Sequence, residues 1–211
     1  MNGVLGVIVA GGRSLRMGGG DKCLLHLGGR PILEWVIERV RPQVPDLIIN
    51  ANGDPERFLS FGLAVAADVI EGFAGPLVGI LTAMEWAATH RPSSRWVASF
   101  PSDCPFLPPD LVARMLKAVE AENGEVACAA SSGRAHPVCG LWRVDLASEL
   151  RKGIVEDGIR KIDLWTAQRH VVEVAFASEA IDPFFNVNSP EDLAAAERWA
   201  AHDSFDRHSD R

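Results

Sequence analysis

Two hydrophobic rhythms take turns along the first two-thirds of this chain. Short apolar runs bounded by turn residues, Val4–Ala10, Leu47–Asn50, Leu63–Ala67 and Trp96–Phe100, read as buried strands. Segments with helical spacing lie between and after them, at Pro31–Arg41, Pro55–Ser60, Leu77–Thr89 and Pro109–Ala121. Prolines at 31, 55, 76 and 109 stand where a helix can begin, because the first turn does not use the N–H they lack. In the first helical segment Ile32, Leu33, Val36, Ile37 and Val40 share a stripe, with Glu34, Glu38, Arg39 and Arg41 mostly opposite. That helix faces a core, and Trp35 packs at the core's edge or at a subunit contact rather than on a base. Strands alternating with helices of this length predict right-handed βαβ units, hence a mostly parallel sheet covered on both faces.

Later in the chain, Glu125–Ala130 and Pro137–Trp142 read as strands around a Ser131–Arg134 turn, the second free to run antiparallel in a mixed sheet. Helices at Asp145–Lys152 and Gly158–Gln168, a strand at His170–Phe176 and a last helix at Pro190–Ala201 follow. The expected fold is α/β: a single-domain three-layer α/β/α sandwich over residues 1–201. Residues 202–211 are polar and without period, and are expected to form a disordered tail whose histidines bind nothing.

Composition narrows the function classes. A chain of 211 residues with 47% hydrophobic and 23% charged residues can bury a substantial core. It contains no apolar stretch of membrane-spanning length and no basic segment leading into an apolar signal core, so cytoplasmic residence without a membrane partner is expected. A net charge of −7 argues against nucleic acid as a partner. The four cysteines, Cys23, Cys104, Cys128 and Cys139, form no C-x-x-C pair, so neither a zinc site nor a disulfide framework is signalled. Cys104, beside Asp103, is expected near the chemistry in a packing role.

The chemistry concentrates where strands end. The first strand closes with Val9 and Ala10 and opens into Gly11-Gly12-Arg13-Ser14-Leu15-Arg16-Met17-Gly18-Gly19-Gly20-Asp21-Lys22. Glycines let backbone N–H groups turn toward an anion, and Arg13, Arg16 and Lys22 add positive charge, so the loop reads as a triphosphate cradle. It is not a P-loop, because Cys23 follows the lysine, and it lacks the G-x-G-x-x-G of a dinucleotide fold. Asn50 and Asn52 follow the second strand, Asp68 the third and Asp103 the fourth, so the polar groups converge on one rim of a parallel sheet. Asp103 lies between Pro101 and Pro105, which stiffen the bend that carries it. A carboxylate so held suits Mg²⁺ shared with substrate phosphates. Asp54 reads as a cap for a short helix, and Ser189 with Asp192 as a capping-box variant for the last one. Asn186 and Asn188 share one side if their segment is extended.

The order A-G-G, R-M-G-G-G-D-K, Leu27-Gly28-Gly29-Arg30-Pro31, Asn50-Ala51-Asn52, Gly75-Pro76-Leu77, Pro101-Ser102-Asp103-Cys104-Pro105 and Asn186-Val187-Asn188-Ser189-Pro190 resembles the molybdenum cofactor guanylyltransferases, over roughly residues 4 to 200. The resemblance implies a Rossmann-like nucleotidyltransferase fold and the transfer of GMP from GTP to molybdopterin. It implies Mg²⁺ as cofactor, held by Asp103. It places Val9, Ala10, Gly11, Gly12, Lys22, Asn50, Asp68 and Asp103 at the nucleotide, and gives Arg16, Lys22 and Asp103 the catalytic roles. His136, Asn186 and Asn188 fall on the acceptor side, with Arg160 and Lys161 within reach of its phosphate. GTP, molybdopterin and, transiently, molybdenum-cofactor insertion proteins or molybdoenzymes are the implied partners. Related cytidylyl enzymes and sugar- or alditol-phosphate nucleotidyltransferases share the fold. A second alanine before one glycine is usual in the cytidylyl group, and Ala10-Gly11-Gly12 here favours guanine. A nucleotide-binding scaffold is the non-enzymatic alternative, against which Lys22 and Asp103 stand together.

Overall fold

The computed structural model describes residues 3–10, 21–72, 75–178 and 181–209, with 202–209 described for their backbone alone. In chain order the elements are β1 (Val4–Val9), β2 (His26–Leu27), β3 (Arg30–Pro31), α1 (Ile32–Val40), β4 (Asp46–Asn50), β5 (Ala64–Ala66), α2 (Pro76–His90), β6 (Trp96–Pro101), α3 (Leu111–Glu122), β7 (Val126–Ser131), β8 (Arg134–Arg143), α4 (Ala147–Val155), α5 (Ile162–Thr166), β9 (Val171–Phe176) and α6 (Pro190–Ser209). Seven strands form one sheet in the order β5-β4-β1-β6-β8-β7-β9. Only β8 runs against its neighbours, so the mostly parallel, mixed sheet expected from the sequence is what forms.

Alternation along β1 divides the core. Val4 and Ile8 pack with α1 and α3 on one face, and Leu5 and Val7 pack with α2, α4 and α5 on the other. Gly6 sits where a Cβ would lie 2.8 Å from both Leu47 Cδ1 and Val44 Cγ2, so this strand position has no room for a side chain. A third, smaller core joins Leu27, Ile32, Trp35, Phe106, Val187, Ala196 and Ala200, binding the β2–β3 hairpin to α1 and α6. Among the described residues no helix is long and apolar enough to cross a membrane.

Several local expectations are corrected. The β2–β3 hairpin was not legible as strands; Gly28 and Gly29, at φ 59° and 84°, supply the left-handed pair that its two-residue turn needs. Arg30 clamps Glu38 at 2.6 and 2.8 Å and lies 4.1 Å over the Trp35 ring, whose Nε1 donates to Leu27 O at 3.0 Å. Trp35 is thereby buried in the small core rather than at the edge of the main one. Pro55–Phe61 is a 3₁₀ segment capped by Asp54, which accepts from Glu56 N at 2.9 Å. α5 is shorter than Gly158–Gln168, because Gly158 takes a positive φ of 66° before it. α6 is longer than expected, running past Ala201 into the segment read as a tail; nothing there is a glycine or proline that would stop it. Its start follows the expected box, Asp192 N donating to Ser189 Oγ at 3.2 Å and Asp192 Oδ2 accepting Ser189 N–H at 2.9 Å.

Candidate active site

The chain leaves β1 for β4 on one side and later returns to β6 on the other. The carboxyl ends of these parallel strands therefore bound a crevice at the switch point, where ligands of such sheets bind. Ala10 follows β1, Asn50 ends β4, and Asp68 and Asp103 come two residues after β5 and β6. Gly11, Gly12, Arg13 and Arg16 lie outside the described residues. The two ends of their loop are placed: Ala10 N donates to Asn50 O at 2.8 Å, and Asp21 is ion-paired with Arg57. Arg57 also donates to Asn52 O at 2.6 Å and to Asp54 O, so one guanidinium ties the loop's exit to the segment after β4. Sequence reading passed over Arg57, which no local pattern distinguishes.

Lys22 opens a short 3₁₀ turn over buried Cys23. Its Nζ donates to Asn188 Oδ1 at 2.8 Å, across 166 residues of chain. Asp103 reaches the same place by backbone, its carbonyl accepting Val187 N–H at 3.0 Å. Val187 is buried in the small core, which anchors the segment between Asn186 and Asn188. Burial raises the Asp103 carboxyl above its ordinary pKa, and the charge of Lys22 opposes this. No side-chain hydrogen bond to this carboxylate occurs among the described residues; the Lys22 charge and a backbone hydrogen bond offset only part of its burial. The neighbouring thiols are not nucleophiles: burial, with the Asp21 charge, pushes Cys23 up to about 12, and burial also carries Cys104 well above the usual range. Cys104 Sγ instead donates to Asn186 Oδ1 at 3.0 Å, which is the packing role expected of it.

The second cluster surrounds Asp68. Asn50 Nδ2 donates to Asp68 Oδ1 at 2.8 Å and to Ala66 O at 3.1 Å. Asn52 Nδ2 donates to Asp68 Oδ2 at 2.7 Å, and its Oδ1 accepts Asp68 N–H at 2.9 Å. Asn50 is 1% exposed with both N–H groups spent, so its side chain is committed to holding Asp68. Asn52 and Asp68 are the more open pair. Beneath them, Gly79 of α2 is indispensable: a Cβ there would run into Asn50 Oδ1 and lie 3.1 Å from Val9 Cγ1.

On the remaining side, His136 is half-buried, its ring stacked on Phe184 at 4.6 Å. The Phe184 carbonyl accepts from Asn186 Nδ2 at 3.4 Å, linking the histidine to the Asp103 loop through Asn186 and Cys104. Arg160 and Lys161 stand exposed ahead of α5, the Arg160 carbonyl facing Gly75 at the start of α2. Among the described residues there is no gathering of three or more His, Cys, Asp or Glu that would cage a metal by itself. A desolvated carboxylate just beyond a strand end instead fits a hard divalent cation that takes its other oxygens from a phosphorylated substrate.

Residues 6–172 match the MobA-like NTP transferase domain. The chain belongs to that family. Its members are enzymes of the nucleotidyltransferase class, and the site lies where the fold binds ligands. The molybdenum cofactor guanylyltransferase of Nitrobacter hamburgensis is 53% identical over 198 residues, covering 94% of this chain and 95% of that protein. The enzyme of the same name from Rhodopseudomonas palustris is 50% identical, covering 94% of each. The crystal structure of molybdopterin-guanine dinucleotide biosynthesis protein A from Archaeoglobus fulgidus superposes with a TM-score of 0.74 at 22% identity, over 94% of this chain and 99% of that one. The 2-C-methyl-D-erythritol 4-phosphate cytidylyltransferase of Thermus thermophilus shares the fold at a TM-score of 0.66 and 22% identity, over 95% of this chain and all of that one.

Proposed function

We propose that residues 1–201 act as one cytoplasmic domain that transfers GMP from GTP to the phosphate of molybdopterin, releasing pyrophosphate. The observation that carries this reading is the meeting of Lys22, Asp103 and Asn188 at one rim, with the names of relatives about half identical over nearly the whole chain. A phosphate monoester acceptor is largely dianionic near neutral pH and needs no general base. One of its oxygens attacks the α-phosphorus in line; that P–O bond forms as the bond to the bridging α–β oxygen breaks, and pyrophosphate leaves with the electron pair. The residues then have two tasks, alignment and charge stabilisation. Lys22 neutralises the α-phosphoryl and leaving oxygens, while Gly11, Gly12 and Arg16 cradle the remaining phosphates. Asp103, with triphosphate oxygens, would hold Mg²⁺, which when bound draws charge off the phosphoryl group. Asp68, held by Asn50 and Asn52, accepts hydrogen bonds from guanine or ribose. Asn186, Asn188 and His136 face the pterin.

The base decides between this reading and a cytidylyl one. In a panel of GTP, CTP, ATP and UTP with Mg²⁺ and molybdopterin, pyrophosphate release is expected with GTP and to be at least about 100-fold weaker with the others, the discrimination that a site built around buried polar groups supports. Preference for CTP would replace the proposal. A second expectation concerns Gly79. Gly79→Ala displaces Asn50 and with it Asp68, so the KM for GTP is expected to rise about tenfold, with kcat changed less than about threefold, as for lost ground-state binding. Steady-state kinetics at saturating molybdopterin check this.

A further inference from the structure

β8 breaks step with β7 beside the acceptor residues. Cys128 pairs with Gly140, yet the next residue, Ala129, pairs with His136, so Pro137, Val138 and Cys139 form a bulge on β8. Bulges re-aim side chains and leave backbone groups that need other partners. Buried Ser99 of β6 supplies one: its Oγ donates to Val138 O at 2.7 Å and accepts from Trp142 Nε1 at 2.8 Å. The displacement of His136 is thus built into the sheet.

What the bulge delivers is a chain of three side chains. His136 Nε2 lies 2.7 Å from Ser131 Oγ, and Ser131 Oγ donates to Asp182 Oδ1 at 2.8 Å. The same carboxylate oxygen accepts Phe184 N–H at 2.9 Å, tying Asp182 to the residue on whose ring His136 stacks. A hydroxyl has one proton and a carboxylate only accepts. With that proton committed to Asp182, the lone pairs of Ser131 Oγ receive N–H from His136 Nε2. The neutral ring then carries its free lone pair on Nδ1, which has no hydrogen-bond partner among the described residues. Burial pushes the His136 pKa below its ordinary value, with Arg134 helping and Asp182 opposing, so the ring is neutral at pH 7. These are the residue types of a hydrolase triad in the wrong order: the serine is 2% exposed and sits between histidine and aspartate, with no access to a carbonyl substrate.

We propose that Ser131 and Asp182 are positioning residues for the acceptor, holding His136 as the Nε2–H tautomer so that Nδ1 accepts a hydrogen bond from a ring N–H of a fused, amide-bearing heterocycle. The inference rests on the guanylyltransferase reading, both in placing His136 at the acceptor and in taking molybdopterin as that heterocycle. Nitrogen-15 NMR of histidine-labelled protein distinguishes the tautomers without any turnover. The native protein is expected to show His136 protonated at Nε2, with a Nδ1 shift that moves when molybdopterin is added without nucleotide. Ser131→Ala is expected to give a tautomer mixture and a molybdopterin KM about five- to tenfold higher, the size of one lost hydrogen bond, with the KM for GTP within about twofold of native. Asp182→Asn keeps an Oδ1 acceptor and is expected to retain the tautomer and a near-native KM. A native ring protonated at Nδ1, a Nδ1 shift indifferent to molybdopterin, or Ser131→Ala with native tautomer or native molybdopterin KM would each overturn the proposal. A native protein that ignores GTP refutes the guanylyltransferase reading instead, and leaves the NMR result to decide this one.

Discussion

Asp103→Asn is expected to lower nucleotidyl transfer by about 10³-fold or more, the range seen when a principal charge-stabilising group is removed, while making the ligand-free protein more stable at neutral pH. The two effects have one cause. Burial raises the Asp103 carboxyl pKa above that of an unfolded chain, and Lys22 cancels only part of the rise. A group raised in this way favours its protonated form in the folded state. Its contribution to stability is full below the unfolded pKa and is lost as pH climbs through the folded one. At pH 7 the ionised, desolvated carboxylate is therefore expected to strain the fold, and an isosteric amide to relieve it. In a chain of this size each 1 kcal/mol relieved moves the thermal midpoint by about 2–4 °C. Midpoints measured from pH 7 down to pH 4 should show the variant ahead at pH 7 and the gap closing toward acid. Adding GTP with Mg²⁺ should reverse the order, because ligand stabilises only the protein that binds it. A variant less stable than native at pH 7 without ligand would mean that the carboxylate is satisfied by the protein alone.

How much of this was legible beforehand differs between elements and partners. The strand ends were legible because a strand buried on both faces shows as an apolar run, and its end as an abrupt return of glycine, asparagine or aspartate; β1, β4 and β6 fall within a residue of their sequence bounds. Asp54 and the Ser189–Asp192 box were legible because caps act over two or three residues. The hairpin was not, since strands of two residues carry no period. Partnerships across the chain were also hidden. Nothing in the spacing of Ser131 and Asp182, 51 residues apart, marks them as one network, and Asn50 looks from sequence like a ligand-binding amide rather than the support of Asp68. Exposure and commitment of hydrogen bonds are tertiary properties, and only the fold reports them.

Those hidden partnerships share a mechanical theme. Lys22 leaves the loop onto the hairpin, and Asn186 to Asn188 leave the Asp103 contact onto α6; both are seated on the small core of Leu27, Trp35, Phe106, Val187 and Ala196. The residues proposed for nucleotide and for acceptor are thus referenced to one packed body at the end of the sheet. Arg57 separately ties the loop exit to the segment after β4, whose Asn52 holds Asp68. Alignment of two substrates to within fractions of an ångström, which an in-line displacement demands, follows from such common anchoring.

Lys22→Ala should lower kcat about 10²–10³-fold, within the range for loss of one preorganised charge in a desolvated site, with the KM for GTP rising only a few-fold. On the proposed mechanism the lysine's value is greatest where charge develops, on the α-phosphoryl and bridging oxygens, and smaller in the ground state, where the glycine loop would share the triphosphate. Lys22→Arg is not expected to rescue the rate, because a planar fork cannot replace a compact ammonium that also serves Asn188 Oδ1 at 2.8 Å. That hydrogen bond sets a further condition. Asn188→Ala frees the ammonium and is expected to cost about tenfold in kcat/KM, comparable to one charge-assisted hydrogen bond, in a background where Lys22 is intact. In the Lys22→Ala background the same substitution should cost much less, since the lysine it orients is gone. Four steady-state measurements close the cycle. Strict additivity would separate Asn188 from the lysine and leave it to the acceptor alone, while an unchanged kcat in Lys22→Ala would take the lysine out of the displacement step.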